Sequence, residues 1–117
     1  MISKEAKLLL EKYPVAIATC VLDKPNVSVA AYVKVLNEEI IITDNYMVQT
    51  VKNIKLNNKV DLAVWNSDWV GYKISGTAEY YNDGKWLEYI RKMPENQGLP
   101  AKGAIVIKID NIKKIGD

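Results

Sequence analysis

Apolar residues recur along this chain in two periods, and the points where the period changes divide it into elements. Ala6, Leu9, Leu10 and Tyr13 fall at i, i+3, i+4 and i+7, the single apolar face of an amphipathic helix. Ser3 precedes that face as an N-cap, and Glu5 lies in the first turn, where the helix dipole favours a carboxylate. Pro14 stops the helix. Val15 to Val21 then runs nearly free of polar residues, as a buried strand does. Leu22-Asp23-Lys24-Pro25-Asn26 has the composition of a turn and joins it, as a hairpin, to a second strand from Val27 to Leu36. Within that strand Val27, Val29, Ala31, Val33 and Val35 alternate with Ser28, Ala30, Tyr32 and Lys34, so the two sets face opposite ways. The small residues Ser28 and Ala30 beside Tyr32 leave room for a flat ligand. The plainer use of that face, against solvent or a partner subunit, is the one spacing alone favours.

Asn37-Glu38-Glu39 turns the chain into a β-branched run, Ile40 to Thr43, which breaks at Asp44-Asn45 and continues as a short helix closed by Asn57-Asn58. Lys59 to Trp65 is the next strand, and after the polar turn Asn66-Ser67-Asp68 a long strand spans Trp69 to Tyr81. Gly71 and Gly76 inside it mark a bulge, a bend or a close backbone approach. Trp86, Tyr89, Ile90 and Met93 again fit the helical period, placing a helix over Lys85 to Met93 whose aromatic stripe reads as core packing. Pro94 to Pro100 is a loop by composition. Ala104 to Asp110 is the last long strand, and Asn111 to Asp117 a short extension. Six strands and three helices, the early strands joined by tight turns, predict a mainly β fold: one domain over residues 1–117, antiparallel and closed into a small barrel.

Composition narrows the chemistry. Apolar content of 49% with 26% charged residues is that of a globular chain rather than a disordered one. The net charge of +2, with signs interspersed, is too mild to argue for nucleic acid or a membrane surface. No apolar run approaches a membrane span, and the N-terminal segment has charges threaded through it and no cleavage site. The single Cys20 suits a reducing cytosol, so a cytoplasmic location is expected. Histidine is absent, which removes the commonest general base and, with only one cysteine, makes a transition-metal site improbable. Any chemistry is then expected to come from a bound cofactor.

The stretch from Ile40 to Asn58 is the first place to look for that cofactor. A strand that runs through a polar turn into a helix can aim free backbone N–H groups at an anion, and here Thr50 adds a hydroxyl, Gln49 an amide, and Lys52 and Lys55 positive potential. An ordinary connection whose polar residues face water has the same composition, and on chemistry alone it is the commoner case.

The order of elements, with VAIATC at Val15 to Cys20, AYVKV at Ala31 to Val35, MVQTVKNIKLNNKV at Met47 to Val60 and AIVIKI at Ala104 to Ile109, resembles the FMN-binding split barrel of the pyridoxamine 5'-phosphate oxidase-like superfamily, in particular its small FMN-binding members. The resemblance implies a six-stranded antiparallel Greek-key split barrel that forms a homodimer with FMN in clefts at the interface. Carried over by position, Gln49 and Thr50 would hold the phosphate, and Thr43, Asp44, Asn45, Tyr46 and Met47 would run along the flavin. Ser28, Ala30 and Tyr32 would lie by the ring or ribityl chain, and Trp69, Tyr72 or Lys102 would reach in from the partner subunit. Many relatives have a lysine or arginine where this chain has Gln49 or Thr50, so neutral donors would meet the phosphate, with Lys52, Lys55 or Lys102 nearby. The chain also lacks the histidine-bearing substrate site of the true vitamin oxidase, so that activity does not carry over. The implied function is a flavin-dependent oxidoreductase or electron carrier, with a non-catalytic flavin or deazaflavin binding module as the alternative. An oligonucleotide-binding barrel stacking bases on Tyr32, Trp65, Trp69 and Tyr72 is the outlying reading, disfavoured by the low net charge.

Overall fold

The computed structural model describes residues 2–115. Helix α1 spans Lys4–Lys12; the Ser3 hydroxyl accepts from the Ala6 N–H and caps it, and Ala6, Leu9 and Leu10 are its buried face. Strands β1 (Val15–Val21) and β2 (Lys24–Ala30) form a hairpin on a two-residue turn. Both turn residues, Leu22 and Asp23, have positive φ, 49° and 63°. That is the turn whose twist matches its flanking strands. Strands β3 (Val33–Leu36) and β4 (Glu39–Asp44) make a second such hairpin on Asn37-Glu38. Helix α2 (Val48–Leu56) follows, then β5 (Lys59–Trp65), β6 (Gly71–Tyr81), helix α3 (Gly84–Arg91), a 3-10 turn (Pro94–Asn96) and β7 (Gly103–Lys114).

All the strands belong to one antiparallel sheet in the order β2-β1-β5-β6-β7-β4-β3. This corrects the expected architecture in two respects. Among the described residues there are seven strands rather than six, and β2 and β3 are free edges, so the sheet is not closed into a barrel. The cause lies in the stretch expected to be one strand from Val27 to Leu36. Ala30 and Val33 are both buried in the core, at 1% and 2% exposure. They are three residues apart, and in a continuous strand only residues an even number apart share a face. The strand therefore breaks at Ala31-Tyr32, and its halves pair at opposite ends of the sheet: β2 with β1, β3 with β4. The break also inverts the expected facing of the first half, leaving Val27 and Val29 at 70% and 63% exposure. Likewise β6 begins at Gly71, not Trp69, because Trp69 sits in the preceding turn at φ 62°.

One face of the sheet carries the main core, where Ile17, Ile40, Ile42, Leu62, Ile74, Ile105 and Ile107 pack with Leu9 and Leu10 of α1 and Ile54 of α2. Each such side chain contributes about 1.5–3 kcal/mol on burial. A smaller cluster of Ile41, Ile90, Met93, Ala104 and Val106 lies on the opposite face beneath α3. At the β6–β7 register shift, a Cβ on Gly76 would meet Ile107 Cγ2 at 2.5 Å and the Lys108 carbonyl oxygen at 2.6 Å, so only glycine lets the two long strands approach there. No helix among the described residues is long and apolar enough to cross a membrane.

Candidate functional site

The break after β2 and the turn after β4 make a cleft. Ser28, Val29, Ala31 and Tyr32 form one wall; Thr43, Asn45, Tyr46, Met47 and Leu99 form the other, around a volume of about 270 Å³. Six of the positions singled out from the sequence, Ser28, Tyr32, Thr43, Asn45, Tyr46 and Met47, are thus brought together across a gap of ten residues in the chain. The lining combines two aromatic rings, hydroxyl and amide groups, and small apolar surface, and it contains no ionised side chain.

Buried hydrogen bonds hold the second wall. Asp44, 2% exposed on its side chain, turns away from the cleft. Its Oδ1 accepts from the Met47 N–H at 2.9 Å, its Oδ2 accepts from the Tyr80 hydroxyl at 2.7 Å, and its carbonyl accepts from the Lys102 N–H at 2.9 Å. The Lys102 ammonium stands 3.9 Å from Oδ1. Burial, then the bond to Asp44 and its negative charge, push the Tyr80 phenol well above its ordinary pKa of 10.0. Asn45 Oδ1 accepts from the Ala101 N–H at 2.7 Å, tying the turn to the strap before β7. Thr43 is 4% exposed; its N–H donates to the Tyr32 carbonyl, and its hydroxyl oxygen accepts from Asn96 Nδ2 at 2.9 Å.

Helix α2 starts beside the cleft, with Met47 as its N-cap residue. The Met47 side chain does not cap it and no acidic residue lies in its first turn, while the Asp44 carboxylate just before it takes the Met47 N–H. Gln49 and Thr50 do not line the cleft. Thr50 is 1% exposed, and its hydroxyl oxygen accepts from Asn26 Nδ2 at 3.4 Å. Gln49 lies in a neighbouring groove of about 430 Å³ together with Lys24, Asn26, Lys52 and Asn53. Gln49 Nε2 donates to Asn53 Oδ1 at 2.8 Å, and Asn53 Nδ2 donates to Thr19 at 2.9 Å.

The remaining positions lie elsewhere. Ala30 is buried in the main core. Trp69, 75% exposed, is at the β5–β6 turn, and Tyr72 donates its hydroxyl to Glu5 Oε1 of α1 at 2.6 Å. Neither lines the cleft of its own chain, and Lys102 sits on Asp44 of its own chain. Reasoning from sequence did not single out Tyr80 or Asn96, the two buried partners of the cleft wall. Tyr80 is 36 residues and Asn96 53 residues from its partner, and no local pattern marks either.

Residues 2–116 match the model of the family described as pyridoxamine 5'-phosphate oxidase. An uncharacterized protein of Methanocaldococcus jannaschii is 39% identical over 117 residues, covering 95% of this chain and 78% of that protein. The crystal structure of HupZ from Group A Streptococcus superposes with a TM-score of 0.88 at 27% identity, over 98% of this chain and 94% of that one. An FMN-binding protein from Syntrophomonas wolfei superposes with a TM-score of 0.81 at 16% identity, over 97% and 86%, which is a likeness of fold.

Proposed function

This chain belongs to the pyridoxamine 5'-phosphate oxidase family, in the FMN-binding split-barrel superfamily, and from that membership and its cleft we propose that it binds FMN and serves as an oxidoreductase or electron carrier. The observation that carries the reading is the cleft itself. Tyr32 and Tyr46 offer faces for a planar ring, and Ser28, Thr43 and Asn45 offer hydrogen bonds to its edges. The first-turn N–H groups of α2, beyond the Met47 N–H that Asp44 takes, and the groove holding Gln49, Lys24 and Lys52 supply donors and positive charge for the phosphate. The buried Thr50 hydroxyl acts at one remove, by holding Asn26 in that groove.

A bound flavin supplies hydride or electron transfer, and the chain supplies orientation, hydrogen bonds and exclusion of water. About 270 Å³ is less than the roughly 300–1,000 Å³ of a typical small-molecule site, so one protomer covers only part of such a ligand. We propose that a second copy completes it, meeting the first along the exposed Val27 and Val29 of the free β2 edge, with Val29 lining the cleft.

The visible absorbance of the purified protein, before and after adding FMN and removing the excess, tests the reading. Retained flavin bands, bleached by NADH or NADPH, are expected. Retained bands that neither donor bleaches would make this a flavin-binding module without turnover. A colourless protein that retains neither FMN nor a deazaflavin would overturn the assignment.

A further inference from the structure

Asn96 lies in the 3-10 turn after α3, 3% exposed, and no motif marks it. Its Nδ2 donates to the Ile90 carbonyl at 2.8 Å and to the Thr43 hydroxyl oxygen at 2.9 Å, using both amide protons. Its Oδ1 is buried without a hydrogen-bond partner among the described residues. Leaving a buried acceptor unpaired is costly, and such an atom calls for an explanation. Turning the amide over does not relieve it, because Oδ1 would then face the Ile90 carbonyl, an acceptor with no proton to give. The Ile90 carbonyl therefore fixes the amide orientation, and the amide in turn fixes Thr43. A hydroxyl that accepts from Asn96 must send its own proton in another direction. Among the described residues no protein group accepts that proton, and Thr43 lines the cleft.

We propose that Asn96 is a positioning residue that fixes the Thr43 hydroxyl as a hydrogen-bond donor into the cleft, so that the cleft selects a ligand with an acceptor at that point. The inference rests on the flavin reading of the same cleft and adds a direction to it. Flavin ring carbonyls and imine nitrogens are acceptors. Two-electron reduction with uptake of one proton leaves a negative charge on the ring system, and a fixed donor holds that charge better than it holds the neutral oxidised ring. Thr43 thus favours reduced over oxidised FMN, and Asn96 makes it do so by leaving its hydroxyl no other polarity.

The test compares Thr43→Val, Thr43→Ser, Asn96→Ala and the Thr43→Val/Asn96→Ala double variant in the full-length chain. Binding of oxidised FMN is followed by fluorescence quenching, and the potential of the bound flavin by dithionite titration against a reference dye. Thr43→Val is expected to lower the ratio of reduced to oxidised affinity about tenfold, a shift of about 30 mV to more negative potential for a two-electron couple. Thr43→Ser is expected to restore the wild-type potential. Asn96→Ala is expected to shift it the same way by a smaller amount, and the double variant to match Thr43→Val alone. Should Asn96→Ala fail to fold, the side-chain amide resonances of Asn96 in the ligand-free protein take its place. One of the two protons is expected to lose exchange protection in Thr43→Val, and two unchanged protons would overturn the pairing. Wild-type protein that retains FMN while Thr43→Val and Thr43→Ser have equal potentials would overturn this inference and leave the flavin reading standing. Wild-type protein that retains no FMN would overturn both.

Discussion

Asp44 ties β4, the turn before α2 and Tyr80 of β6 into one unit through its two carboxylate oxygens. Asp44→Ala would leave the Met47 N–H and the Tyr80 hydroxyl unpaired, and a loss of about 2–4 kcal/mol in urea denaturation is expected. Tyr80 also makes stability depend on alkaline pH. Its folded-state pKa is raised above the ordinary 10.0, so its contribution is fully present below pH 10.0 and declines as pH rises above that value, where only the unfolded chain readily loses the proton. Between about pH 9 and about pH 11, Tyr80→Phe is expected to show a flatter fall in stability than wild type, and equal slopes would contradict the assignment. Gly103 packs directly under the same ring. An added Cβ would collide with the Tyr80 hydroxyl and its ring carbon, so Gly103→Ala should displace Tyr80 and reproduce much of the Asp44→Ala loss.

Two short turns adjoin the segments that line the cleft. The β1–β2 turn holds Leu22 and Asp23 at positive φ, a conformation that Asn and Gly adopt at lower cost. Leu22 is 89% exposed, so replacing it removes little packing. Leu22→Asn with Asp23→Gly is expected to stabilise the protein by about 1 kcal/mol, read as a higher midpoint in urea at unchanged slope. The 3-10 turn bearing Asn96 is pinned to β3 by a Lys34–Glu95 ion pair of 2.9 Å. The hydrogen bond to Lys34 holds the Glu95 carboxyl below its ordinary pKa of 4.5, with its own backbone N–H and the lysine charge assisting against a small burial penalty. The contribution of this pair is therefore present above about pH 4.5 and lost as pH falls below it. Both side chains are about a third exposed, so Glu95→Gln is expected to cost only about 0.5–1 kcal/mol at pH 7, with no difference from wild type once Glu95 is protonated.

For the molecule as a whole, the free β2 edge with its outward valines is the feature that a solitary chain does not explain. Natural edge strands are usually blunted by charge or proline, and here Lys24 and Pro25 guard only the start of the strand. If this edge is where two copies meet and complete the cleft, Val27→Lys with Val29→Lys should halve the mass measured by light scattering after gel filtration. The same double variant should bind FMN at least tenfold more weakly, with an unchanged melting temperature for the monomer. A wild-type chain that already elutes as a monomer while retaining FMN would remove the second copy from the site.

The periods of apolar residues determined which segments are helix and which are strand, because each is a local property of spacing: α1 with its Ser3 cap, β1, β5 and the strand-turn-helix from Ile40 onward lie where the pattern put them. The family was legible for the same reason, in short stretches of adjacent residues. Tertiary structure alone decided that Val27 to Leu36 is two strands. The apolar alternation continues unbroken through Ala31-Tyr32, and only the demand that Ala30 and Val33 enter the same core reverses its phase. That one break separated β2 from β3, left the sheet open, turned two valines outward and created the cleft. The roles of Tyr80 and Asn96 were likewise decided by tertiary structure, since a buried hydrogen bond between residues 36 or 53 positions apart leaves no periodic trace in a sequence.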